Sequence, residues 1–158
     1  MLPPILIIAV GNESRGDDAL GPLLLRQLNG HANPEQVELL EDFQLQVEHA
    51  ADLFGRELVL FIDAGMDTTA PYSFHRAKPD HGRTLFSHAL TPEAVLATYK
   101  QVYQAEPPPC FVLCLRGEQF ELGTELGQQA KHHLQLALEF MLKRLQQATA
   151  PEWERCCD

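Results

Sequence analysis

Two short apolar runs set the frame for this chain. Residues 5–10 (ILIIAV) and 58–62 (LVLFI) are too short to stand alone as helices and are rich in branched side chains, the pattern of strands buried on both faces of a parallel sheet. Residues 37–40, after the turn signal Asn33-Pro34, and residues 110–115, after Pro107-Pro108-Pro109, predict two more strands. The polar-apolar stretch 72–76 predicts an edge strand. Between these runs the apolar period becomes helical, in Leu20, Leu23, Leu24 and Leu28 and again in Val47, Ala50, Ala51 and Phe54, with Gly55 as a stop. Thr91-Pro92 supplies an N-cap and a proline at the first helical position, opening a helix with Val95, Tyr99 and Val102 on one side. The longest stripe, Leu126, Ala130, Leu134, Ala137, Met141 and Leu145, predicts a final helix.

Alternating strands and helices in this order imply an α/β fold: a single domain with three layers, in which a mostly parallel twisted sheet of about five strands carries helices on both faces. Its 158 residues and 45% hydrophobic content suit one core. The domain is expected over residues 1–150, with a loose polar tail over 151–158. Acidic residues outnumber Lys and Arg by 22 to 12, and the formal charge of -10 gives no electrostatic reason to bind nucleic acid or an anionic membrane. The apolar start lacks a basic region ahead of it and runs straight into Gly11-Asn12, so it reads as a strand and not a signal peptide. No run approaches the roughly 20 apolar residues of a membrane span, and the expectation is a soluble cytoplasmic protein. Cys110, Cys114, Cys156 and Cys157 show neither CxxC nor zinc-ligand spacing and read as free thiols. The even separation of Cys110 and Cys114 puts both on one face of a strand, where Cys acts as a small hydrophobe.

In an open parallel sheet, ligands bind beyond the carboxyl ends of the strands. The first run ends in the loop GNESRGDDALG, residues 11–21, with Asp17 and Asp18 at a helix start that favours negative charge. Either aspartate could serve only as an N-cap. The loop lacks GxGxxG spacing, and its paired carboxylates would repel a pyrophosphate. The 58–62 run ends in Asp63, a charge that is costly to bury unless it is paired with a cation, a metal or hydrogen-bond donors. Asp42 closes another, more polar strand. Among seven histidines, His88 stands in a short connection just ahead of the capped helix, where a loop can carry it into the crevice. His31, His49, His75, His81, His132 and His133 have ordinary structural readings. Two carboxylates and an imidazole suit a borderline divalent metal, although the spacing of Asp18, Asp63 and His88 matches no compact metal motif.

The segment GNESRGDDALG resembles the opening motif GNxxxxDDGxG of the NiFe-hydrogenase maturation endopeptidases. The resemblance continues through Asp63 in FIDAG, Ser87-His88 before a helix, and Arg116-Gly117-Glu118-Gln119-Phe120-Glu121-Leu122-Gly123, which is similar to the RGxxFxLG segment of one branch. It implies that Asp18, Asp63 and His88 are the metal-contacting and catalytic trio. It also implies the activity: removal of a C-terminal extension from the hydrogenase large-subunit precursor once nickel has been inserted. The nickel would be contacted in the precursor and serve as the recognition signal, with no tightly bound cofactor in the isolated protein, which would be a monomer meeting its partner transiently. Three departures stand out: Ala19 replaces the motif's glycine, residue 18 is Asp where many members have Glu, and QLxxE at residues 44–48 replaces a glycine-threonine-glycine loop. The competing reading is a non-catalytic nucleotide- or phosphopeptide-binding module using residues 11–21 as an anion cradle.

Overall fold

A computed structural model describes residues 2–80 and 90–158. Strands β1 (Ile5–Val10), β2 (Val37–Asp42), β3 (Leu58–Gly65), β4 (Tyr72–Ala77) and β5 (Cys110–Arg116) form one sheet in the order β2-β1-β3-β5-β4. All neighbours pair in parallel except β4, which runs antiparallel along β5 as the edge. The sheet and its edge strand agree with the alternation read from the sequence.

Helices α1 (Leu20–Leu28) and α4 (Gln128–Gln146) cover one face, and the one-turn α2 (His49–Asp52) and α3 (Pro92–Tyr103) cover the other. Strand alternation sorts the core accordingly. Ile5, Ile7 and Ala9 of β1 pack with Leu24, Leu28, Leu134 and Met141, while Leu6, Ile8 and Val10 pack with Leu53, Val95 and Tyr99. Thr91 caps α3, its side chain accepting a hydrogen bond from the Ala94 amide at 3.1 Å. Four residues of the expected apolar stripes face out: Val47, Ala51, Phe54 and Val102 are exposed, and α4 begins two residues after Leu126. Among the described residues no helix is long and apolar enough to cross a membrane.

The expected loose tail is not observed. Residues Ala150–Glu154 form a further helix, α5, and Trp153 is fully buried. Its ring meets Phe74 and Phe111 edge-on at 6.0 and 5.5 Å, and its indole nitrogen donates to the Arg144 carbonyl at 3.0 Å. Asp158 then closes on β4, its amide donating to the Phe74 carbonyl and its carboxylate accepting from the Phe74 amide. One aromatic side chain with a satisfied N–H anchors an otherwise polar segment.

β1 leads leftward through α1 to β2, and the chain then returns to the right of β1 as β3. The order therefore reverses between β1 and β3, so the crevice favoured by open α/β sheets lies beyond their carboxyl ends. The loop at residues 11–18 and Asp63 are both there.

Candidate active site

The loop after β1 is folded by its own short hydrogen bonds. Arg15 N–H donates to the Asn12 carbonyl, Ser14 N–H to the Asn12 side chain and Asp18 N–H to the Arg15 carbonyl, closing into a 3-10 turn over Gly16–Ala19. The Asp18 carboxylate accepts from the Asn12 amide at 2.8 Å. Gly11 makes the close turn possible: its φ is +155°, and a Cβ there would lie 2.0 Å from the Asp18 carbonyl oxygen. Ala19 sits at φ -75° and ψ -10°, ordinary helical geometry, so the motif's glycine is dispensable here.

Asp63, at the end of the apolar run of β3, is partly buried and accepts the Ala64 amide at 2.7 Å. Burial pushes its carboxyl up to about 7, against the pull of that amide, and the negative charge of Asp18 adds to the rise. Two of the three expected residues are thus brought together, with Asp18 close enough to act on Asp63. His88 lies outside the described residues; two positions further on, Leu90 packs on the core at the α3 face. Among the described residues no group of three His, Cys, Asp or Glu side chains is arranged to hold a metal.

Asp63 shares its sheet face with two groups that the sequence reading named but did not assign to the site, Cys114 and Arg116. Parallel register sets it opposite Cys114, and the Cys114 sulfur lies 2.8 Å from the Thr68 hydroxyl. Burial raises this thiol, with the Asp63 charge adding to the rise, so it is held as a thiol and not as a thiolate nucleophile. One step outward, Gly65 pairs with Arg116.

Asp17 has a different task from Asp18. It is 2% exposed, and its carboxylate accepts the Glu118 and Gln119 amides at 2.7 and 3.1 Å and the Gly127 amide, at the N-cap of α4, at 2.8 Å. Its own amide donates to the Gln119 carbonyl. Gly117 admits this approach, since a Cβ there would be 2.8 Å from that of Asp17. Asp17 therefore clamps the RGEQFELG segment to the opening loop, a role whose only trace in the sequence was the pairing of two aspartates.

Asp42 is occupied as well. Its carboxylate takes the Phe43 amide and faces Nε2 of His49 at 3.3 Å, while Nδ1 of His49 accepts the Gln46 amide. Beside it, a cleft of about 260 Å³ is lined by Gly11, Asn12, Glu13, Ser14, Glu41, Asp42 and Phe43. Arg26 bridges Glu13 and Glu41 at its rim.

An anion cradle is not available. The amides of residues 12, 14, 15, 17 and 18 are all engaged within the protein, that of Asn12 by the Asp18 carboxylate.

No protein-family model matches the chain, and no curated protein matches it in sequence. Solved structures do match. The NiFe hydrogenase maturation protease HycI of Thermococcus kodakarensis superposes with a TM-score of 0.71 at 23% identity, over 90% of this chain and 92% of that one. The hydrogenase maturating endopeptidase HybD of E. coli gives 0.72 at 23% identity, over 91% and 93%. The fold is that of the hydrogenase maturation proteases. A hydrogenase 3 maturation protease gives 0.64 at 18% identity over 90% and 89%, so the likeness spans nearly the whole of both chains each time.

Proposed function

We propose that this chain is an endopeptidase that removes a C-terminal extension from the nickel-loaded large-subunit precursor of a NiFe hydrogenase. The observation that carries the reading is the meeting of Asp18 and Asp63 at the β1/β3 crevice, in the fold shared with the maturation proteases. Asp63 is held where ionisation is costly, and a divalent cation brought by the substrate would offset that cost by replacing the proton. The precursor's nickel is then the recognition signal, with Asp18, Asp63 and His88 as its contacts and catalytic groups. When engaged, the nickel supplies Lewis-acid chemistry to the adjoining peptide group. Asp18 is oriented by the Asn12 amide and Asp63 by the Ala64 amide, and each engages one carboxylate oxygen in that bond. The un-ionised Cys114 argues against an acyl-enzyme route through that sulfur. The reading also has the protein act as a cytoplasmic monomer with no resident cofactor.

The test is to incubate the protein with nickel-loaded precursor and follow the precursor's mass. Loss of a C-terminal fragment is expected with the nickel-loaded form and not with the nickel-free form. Equal cleavage of both would remove nickel sensing, and normal cleavage by Asp63→Asn would remove the role of Asp63.

A further inference from the structure

Arg116 is the last residue of β5, pairs with Gly65, and shares a sheet face with Cys114 and, across the ladder, with Asp63. At about 3.3 Å per residue, its Cα stands some 7 Å further out along the strands than the level of Asp63. Among the described residues no carboxylate lies within hydrogen-bond distance of its guanidinium. Arg26, Arg56 and Arg155 each hold a carboxylate oxygen at 2.6 Å, and Arg76 is paired with Glu154. Among the described residues the Arg116 side chain makes one hydrogen bond, from Nη1 to the Thr68 carbonyl at 3.0 Å. The nearest carboxylate, that of the half-exposed Glu118, is 3.8 Å from Nη2, too far for a hydrogen bond. Nε is buried without a partner among the described residues.

The side chain is nonetheless held in place. Thr68 fixes Nη1 while its hydroxyl engages Cys114, and Asp17 clamps the two amides after Gly117. A positioned guanidinium with an unfilled fork, in a chain of net charge -10, is built to receive an anionic group. An extended peptide advances at the same 3.3 Å or so per residue as the strands. Allowing for the reach of the arginine side chain, the anion belongs within about four residues of the group that meets Asp63.

We propose that Arg116 binds a carboxylate of the precursor beside the Asp18–Asp63 site and so selects which extension is accepted. This inference rests on the endopeptidase reading. The carboxylate belongs either to an acidic side chain near the cleaved bond or to the precursor's own C-terminus.

The test measures binding of nickel-loaded precursor to full-length wild-type, Arg116→Gln and Arg116→Lys proteins, with cleavage followed in parallel. Three precursor types are compared: unaltered, with acidic residues of the extension changed singly to their amides, and with several neutral residues added after the terminus. Arg116→Gln should weaken binding about ten- to hundredfold, with the loss falling on KM more than on kcat and Arg116→Lys recovering part of it. One precursor change should reproduce the loss and make binding indifferent to Arg116→Gln. An amide change doing so identifies a side chain, and the neutral addition identifies the terminus. Unchanged binding by Arg116→Gln, or losses that simply add in every combination, would overturn the proposal. If Arg116→Gln does not fold, Arg116→Lys against the same precursors decides by the same criteria. Wild type that binds but does not cleave overturns the endopeptidase reading alone, and wild type that does not bind overturns both.

Discussion

Asp63→Asn should stabilise the protein, and increasingly so as the pH rises. The wild-type carboxyl ionises near 3.8 in an unfolded chain and near 7 in the folded one, chiefly because it is buried at the end of β3. Below about pH 3.8 both states hold the proton and Asp63 costs nothing. Between the two values the unfolded chain releases its proton while the folded chain keeps it, so wild-type stability falls. Above about 7 the loss is complete. At about 1.4 kcal/mol per pH unit across this window the bound is about 4 kcal/mol, and relaxation around the charge reduces it to about 2–4 kcal/mol. Asparagine has nearly the same shape and keeps an oxygen for the Ala64 amide, but it cannot ionise. Urea unfolding of both proteins from pH 3.5 to 8.5 should show curves that separate between pH 4 and 7, with the variant more stable at the alkaline end. A difference independent of pH would refute the claim that Asp63 is held un-ionised by burial, and a wild type that gains on the variant as pH rises would reverse its sign.

Asp17→Ala leaves three amides without their carboxylate and should cost about 3 kcal/mol or more in urea unfolding; a loss below about 1 kcal/mol would mean that the clamp is dispensable. Trp153→Ala empties a fully buried site between β4 and α4 and should cost about 3–5 kcal/mol by the same assay, whereas no change would restore the picture of a loose tail. Thr91→Ala removes the α3 cap and should lower stability by about 1 kcal/mol, leaving the far-ultraviolet spectrum unchanged.

The sheet was legible because its buried strands announce themselves: β1 and the apolar part of β3 are continuous branched runs that no amphipathic helix would carry. Parallel pairing was enough to put Asp18 and Asp63 on the same sheet edge, but the reversal of order between β1 and β3 came only with the sheet topology. Residues whose role depends on distant backbone were not legible. Asp17 works by accepting amides 101 to 110 positions away, and nothing local distinguishes it from an N-cap. Cys114 was placed on a strand that was expected to end at Leu115, one residue short of Arg116, and only the register with β3 shows that both share a face with Asp63. Trp153 was discounted because its neighbours are polar, although a single large ring fills a core site whatever flanks it. His88 came from the family resemblance and falls outside the described residues.

The most direct measurement is a diffraction structure of the protein soaked with nickel(II), with the metal located by anomalous scattering. A single peak shared by the Asp18 and Asp63 carboxylates, with the His88 imidazole completing the set, is the expected result. A metal bound elsewhere, or held by Asp63 without Asp18, would contradict the reading of this crevice as the place where the precursor's nickel is recognised.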